Sequence, residues 1–320
     1  MNKTKLCFTA VICSFENAGR EKRLQQVIAN LQRQRDITLQ IVLVWKGFDR
    51  RQVPFFDGVT VIGVPFCGSS EARNIGASRA SGDIICFLDD DTFPVGDDFF
   101  VRAANELDLR KLDFLTCNIS SSGAVMAGQG VSADVKLVDA GLIGNMWEPG
   151  LVVRREAFAK VGFDPTLGIS CVHGSSEGLD YGCRLVQAGF RGQRVAALLI
   201  DHPPLDLSDG RAEDRTFFYS LGNGSVLVQH RMYAVYFRQI AKAGGKLLLA
   251  TATFDRTSLK LAFIRLMCLM LGPMLPRQSA RILPRTGSGA FVGMVQVDDV
   301  AATEGTASSD VASPRAEAES

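Results

Sequence analysis

An apolar run that breaks into three consecutive carboxylates limits what this chain can fold into more than any other stretch: Ile84-Ile85-Cys86-Phe87-Leu88, then Asp89-Asp90-Asp91. Strands buried on both faces of a parallel sheet read as unbroken apolar runs, and open α/β sheets hold ligands at the carboxyl ends of their strands. Three acids at such an end therefore face a cleft. Unpaired, they repel one another and raise each other's pKa, so a divalent cation or a cationic ligand accounts for their company. A solvated acidic turn is the plainer reading, and this stretch alone leaves both open.

At 320 residues, 47% of them hydrophobic, the chain has room for one large α/β domain with an appended C-terminal segment, or for two small domains. A formal net charge of +1, with no arginine-rich stripe, gives no electrostatic reason to expect nucleic acid as partner. The eight cysteines are scattered without a CxxC pair, several inside apolar runs, and read as reduced, buried thiols. Met1 to Lys5 leads straight into a strand-like run without the apolar core and cleavage site of a signal peptide, so a cytoplasmic location is expected.

Residues 6–13 read as a buried strand, followed by the polar turn Ser14-Phe15-Glu16-Asn17. Leu24, Val27, Ile28 and Leu31 recur at helical spacing, and Leu39 to Trp45 is a second strand. That βαβ unit predicts a parallel sheet with a right-handed crossover. Val59 to Val64 is a third strand, and a helix opening at Gly68-Ser69-Ser70-Glu71 runs through Ala72, Ile75, Ala77 and Ala80 to Ser81-Gly82. The fourth strand then enters the acids. Residues 96–109 read as a helix and Phe114 to Ile119 as a strand, while Ser120 to Asn145 reads as loops.

Taken together, Glu71-Ala72-Arg73-Asn74-Ile75-Gly76, Ala80-Ser81-Gly82-Asp83 and Phe87-Leu88-Asp89-Asp90-Asp91 resemble the family-two inverting glycosyltransferases of the GT-A fold, with their ARN-x-G helix and D-x-D strand end. The resemblance implies a Rossmann-like, mostly parallel sheet flanked by helices, with a nucleotide-sugar half over about 1–95 and an acceptor half over about 96–210. It also implies a nucleotide-sugar donor contacted by Ser14, Glu16, Asn17, Asp49, Arg73, Asp89 and Asp90. Mn²⁺ or Mg²⁺ would sit on Asp89, Asp91 and His202, the last from Asp201-His202-Pro203. Asn74 is expected to pin its helix to a neighbouring loop. After the second strand the family's acidic loop is replaced by Val44-Trp45-Lys46-Gly47-Phe48-Asp49, where only Asp49 matches. Trp45 is either core or a base flank, and Lys46 either meets phosphate or is solvated.

Two acceptor-side passages follow. Asn145 to Phe158 and Val161-Gly162-Phe163-Asp164 resemble the family's acceptor lining, with Glu148 and Asp164 as candidates for sugar hydroxyls; Asp164 before Pro165 is also an ordinary turn residue. In Glu177-Gly178-Leu179-Asp180-Tyr181-Gly182-Cys183-Arg184 the family's second acid is replaced by Gly178. By resemblance the base that takes the acceptor proton is then Glu177, with Asp180 second. Glu177 also suits a helix start, and Asp180 and Arg184 also suit a plain i,i+4 ion pair.

The segment 211–276 is expected to be helical, starting with Phe217-Phe218-Tyr219-Ser220-Leu221-Gly222-Asn223-Gly224. Residues 246–275 are very apolar but interrupted by Lys260, Arg265 and Gly272-Pro273, too short a run to span a bilayer. They either rest on a membrane or pack internally or against a second copy. Beyond 297 the composition is that of a disordered tail.

The reading is thus transfer of a sugar from a nucleoside diphosphate to a hydroxyl of a saccharide or lipid-linked saccharide, with inversion. A phosphatase built on D-x-D-x-[TV] is disfavoured, because these acids follow three strands and Phe93 stands where Thr or Val is needed. A sugar nucleotidyltransferase is disfavoured by the lack of a Gly-rich loop over 11–20. A binding or scaffold protein of the same fold that has lost turnover remains the alternative.

Overall fold

The computed structural model describes residues 6–15, 20–47, 53–121, 124–125, 133–203 and 212–278. The first strands are β1 (Leu6–Phe15), β2 (Ile37–Lys46), β3 (Val59–Val64) and β4 (Ile84–Asp89), with helices α1 (Arg20–Gln32) and α2 (Ser69–Ala77) between them. They pair in parallel in the order β3-β2-β1-β4. The chain therefore steps outward from β1 to β3 and returns to the other side of β1. That reversal is the switch point at which open α/β sheets form a crevice.

The sheet continues through β9 (Leu151–Arg154), β6 (Phe114–Ser121), β10 (Gly192–Asp201) and the two-residue β5 (Phe93–Pro94). β9 is antiparallel to both β4 and β6, and β10 is parallel to β6, so β4, β6 and β10 point the same way. The segment 120–145 is not loop throughout: β7 (Ala124–Val125) pairs with β6, and β8 (Val135–Lys136) pairs with β10. Their two-residue length leaves too little periodicity to be read from sequence.

The core lies on both faces of this sheet. On one, Phe8, Ile12, Leu24, Val27, Leu31, Trp45 and, from α3 (Phe99–Leu109), Phe100, Ala103 and Leu107 pack together. On the other, Val11, Phe87, Val153, Phe163 and Tyr181 do so, with α4 (Arg155–Lys160) and α5 (Glu177–Gln187) supplying Ala157, Tyr181 and Leu185. Trp45 is 3% exposed and belongs to this core. α2 stops at Ala77 rather than at Ser81-Gly82, because the turn must bring Gly82 against β1, where a Cβ would lie 2.5 Å from the Phe8 carbonyl carbon. All eight cysteines are free thiols, six of them buried.

Three further helices follow among the described residues: α6 (Ala212–Gln229), α7 (Tyr233–Ala252) and α8 (Arg256–Leu271). α8 packs against both α6 and α7. The α6–α8 contact is backbone-close, since a Cβ on Gly224 would meet the Leu269 carbonyl oxygen at 2.3 Å. Among the described residues no helix is long and apolar enough to cross a membrane. Positions 297–320 lie outside the described residues.

Candidate active site

Asp89 ends β4, and the turn after it is tied by the Thr92 hydroxyl, which accepts the Asp89 N–H at 2.9 Å. Within that turn the acids divide. Asp90 is 2% exposed and accepts the Ser14 hydroxyl at 2.6 Å from the end of β1, while Asp89 and Asp91 stand partly exposed. Asp91 lies 4.0 Å from Arg23.

β5 and β10 bring a third group to these two. Phe93 pairs with Asp201, so the residue after β10 is returned to the acidic turn across more than a hundred positions of sequence. That residue is His202, and Asp89, Asp91 and His202 each offer one ligand atom within 4.8 Å of the others. The His202 Nδ1 lies 2.5 Å from the Pro203 carbonyl oxygen, which can only accept, so Nδ1 is the donor of that hydrogen bond. Two carboxylates and one such imidazole are a donor set that fits Mn²⁺ or Mg²⁺.

Arg73 of α2 links this cluster to a second one. It is 4% exposed; Nη2 donates to Asp89 Oδ1 at 3.2 Å and Nη1 to Glu177 Oε1 at 3.2 Å. Burial alone would lower its pKa, but Asp89, Glu148 and Glu177 outweigh that and hold it above the usual arginine range. Asn74, the next residue, exchanges two hydrogen bonds with the Phe163 backbone at 2.8 and 2.9 Å, the pinning expected of it.

Glu177 opens α5 and is 6% exposed, its Oε1 also accepting the Ser69 hydroxyl at 3.2 Å. Gly168 makes room for this group at φ +99°, where a Cβ would sit 2.3 Å from Ser69 Oγ and 2.8 Å from Glu177 Oε1. Beside it lies Glu148, from the segment before β9. Its Oε1 accepts the Gly178 N–H at 2.7 Å, and a Cβ on Gly178 would fall 2.4 Å from that same oxygen. The Glu148 carboxyl thus fills the space a side chain at 178 would claim. Burial first, and then the charge of Glu177, push its pKa up to about 8, against the pull of Arg73.

Asp180 is fully buried, one oxygen accepting Arg184 Nε at 2.8 Å and the other facing His230 Nε2 at 2.8 Å. Burial raises its pKa, but His230 and Arg184 more than offset this and keep it below the usual range. Arg277, beyond α8, reaches Asp164 at 3.2 Å and Ser225 at 3.0 Å, fastening the C-terminal helices to this region. Lys46 is buried, its Nζ 6.0 Å from the Phe66 ring centre. Glu16, Asn17 and Asp49 lie outside the described residues. The pairing of Glu148 with Gly178 was not read from sequence; the signal for it was an acid missing at 178 and an extra one in the acceptor-side segment.

Residues 9–123 match the family model described as Glycosyl transferase family 2. No curated protein matches the chain in sequence. Among solved structures, S. aureus TarS residues 1–349 is similar at TM-score 0.50 and 13% identity, covering 87% of this chain and 95% of that one. A second S. aureus TarS structure is similar at TM-score 0.50 and 13% identity over 81% of this chain and 55% of its own. GalNAc-T7, solved with UDP, GalNAc and Mn²⁺, is similar at TM-score 0.52 and 15% identity over 72% of this chain and 55% of its own. At these identities the likeness speaks for the fold.

Proposed function

We propose that this chain, of GT-A-like fold and matching the Glycosyl transferase family 2 model over residues 9–123, is a glycosyltransferase of that family and moves a sugar from a nucleoside-diphosphate donor to an acceptor hydroxyl with inversion. The observation that carries the proposal is Arg73, whose one guanidinium joins Asp89 of the Asp89–Asp91–His202 cluster to Glu177, the buried neighbour of Glu148. The two halves of the chemistry therefore belong to one site.

Asp89, Asp91 and His202 would hold Mn²⁺ or Mg²⁺, which when bound supplies positive charge against the diphosphate as it leaves. Asp90, fixed by Ser14, keeps the turn in register so that its neighbours point outward. Glu16, Asn17 and Asp49 are assigned to the nucleoside side.

At the other end a carboxylate must accept the acceptor proton. Glu177 has an oxygen committed to Arg73 and Ser69, whereas Glu148 has its proton affinity raised by burial and by Glu177. A general base works best with a pKa near the working pH, and we assign the step to Glu148, with Glu177 as the charge that tunes it. The acceptor oxygen bonds to the anomeric carbon as the bond from that carbon to the donor phosphate oxygen breaks; the electron pair leaves with the diphosphate and the proton goes to Glu148. Asp180, committed to Arg184 and His230, acts by holding α5. The acceptor is a saccharide, free or lipid-linked, met on the cytoplasmic side, in polysaccharide or glycoconjugate synthesis.

Purified protein assayed with UDP-, GDP- and dTDP-sugars and Mn²⁺ should hydrolyse or transfer from at least one. Turnover unchanged by Asp91→Ala would sink the assignment, and a protein that binds a nucleotide yet turns over no donor would be the binding or scaffold protein instead.

A further inference from the structure

The turn between α7 and α8 is built in a way that folding does not explain. It closes α7 with the paired bonds of a left-handed helix cap: the Asp255 N–H reaches the Ala250 carbonyl at 3.1 Å and the Phe254 N–H reaches Thr251 at 3.3 Å. The residue in the left-handed position is Phe254, at φ 54°, where glycine is the usual occupant. Its side chain is 90% exposed, so the strained aromatic contributes nothing to the core. Leu248 and Leu249, one turn earlier, are 73% and 65% exposed.

The charge around this tip is one-sided. Residues 231–278 hold eight Lys or Arg and a single acid, Asp255, in a chain that nets only +1. The Asp255 carboxylate is used as the cap of α8, accepting the Thr257 and Ser258 N–H groups at 3.1 Å. On α7, Arg238, Lys242 and Lys246 are exposed and recur every four residues, forming one stripe beside Phe237. On α8, Arg256, Lys260, Phe263 and Met270 are exposed at spacings of four, three and seven residues along one face, Lys260 also pairing with Glu213 of α6, and Met274 is exposed just beyond the helix.

We propose that the α7–α8 hairpin docks the enzyme on the surface of an anionic phospholipid bilayer, with Phe254, Leu248 and Leu249 entering the interface and the basic stripes meeting the headgroups. Basic residues next to exposed aromatic and leucine side chains are the composition of interfacial helices, and basic clusters are attracted to anionic lipid. A second copy of the chain would bring the same positive charge against itself. The proposal deepens the lipid-linked half of the acceptor reading and does not depend on the transfer chemistry, because it is tested without substrate.

Full-length protein should co-sediment with vesicles of phosphatidylcholine plus phosphatidylglycerol and not with phosphatidylcholine alone, and binding should fall at high salt. Lys242→Gln with Lys246→Gln should weaken it by about 25-fold, at roughly fivefold per basic residue. Phe254→Gly, which relieves the left-handed strain, should weaken vesicle binding while raising the melting temperature, so lost binding cannot be put down to misfolding. Nucleotide-sugar hydrolysis without vesicles should be unchanged in each variant, so failure here stays distinct from failure of the transferase reading. No binding to the anionic vesicles, equal binding to both vesicles, or a dimer in solution that Leu248→Ser with Leu249→Ser dissociates, would each overturn the proposal.

Discussion

At one end of the site Asp89, Asp91 and His202 stand partly exposed on the lips of two strands; at the other, Glu148 and Glu177 are packed around Arg73, Ser69 and the Gly178 backbone. The first group is drawn together by the sheet itself, through the pairing of β5 with β10. The second is drawn together by loops and the start of a helix. Acids that stand partly exposed can be reached by a ligand. Acids enclosed by protein donors have theirs assigned, except where crowding leaves one with a raised affinity for a proton. The contrast teaches which end should bind and which should react.

Removing an acid of the exposed end should have the largest effect. Asp91→Ala is expected to lower turnover by about 10³-fold, the scale of losing a group that stabilises developing charge, and to flatten the dependence of rate on Mn²⁺. Steady-state rates against Mn²⁺ concentration check this. If the variant keeps the wild-type metal dependence, the two ends do not divide the work as described.

Glu148→Gln should come next, with turnover down about 10²- to 10³-fold. Burial, and then the charge of Glu177, push the Glu148 pKa up to about 8. As a base it works only when ionised, so kcat/KM should rise with pH up to about 8 and then level off. The rising limb should vanish in Glu148→Gln, a change that mere loss of packing would not produce.

Gly178→Ala sharpens the same end more gently. The new methyl would stand 2.4 Å from Glu148 Oε1 and must displace it. About tenfold loss of turnover with a shifted pH limb is expected, although alanine favours a helix over glycine by about 1 kcal/mol.

Asp180→Asn should change turnover least, within about twofold, and stability most. It breaks a buried pairing with Arg184 and His230, worth about 3 kcal/mol when one partner is removed. Because the folded pKa of Asp180 is depressed, its contribution is present above the ordinary aspartate range and is lost as pH falls through the depressed value. Thermal melts from neutral to acid pH should therefore show a shallower acid limb in the variant.

The legibility of these regions follows from how each is encoded. Strands β1 to β4 are readable to within about two residues, because a strand buried on both faces writes a continuous apolar run; β1 runs on through Ser14 and Phe15, read as turn from their polar neighbours, and β2 starts at Ile37 rather than Leu39. Asp89 and Asp91 came with them, being the break in such a run. Glu148 was visible only as an acid in an acceptor-side segment, since its contact with Gly178 joins a loop to the start of α5 thirty positions on, a separation that local periodicity does not encode. The same holds for Asp180 and His230, fifty positions apart. For 246–275 composition showed an apolar segment but not which face of α7 or α8 is turned outward; only the packing of α8 on α6 and α7 decides that.

The division of labour is tested most directly by measuring the affinity of nucleoside diphosphate, taken from UDP, GDP and dTDP, in the presence of Mn²⁺ for the wild type, Asp91→Ala and Glu148→Gln. Binding should be lost in Asp91→Ala and unchanged in Glu148→Gln, whose turnover nonetheless falls by about 10²- to 10³-fold. Equal affinity in all three proteins, or binding lost with Glu148 rather than with Asp91, would contradict it.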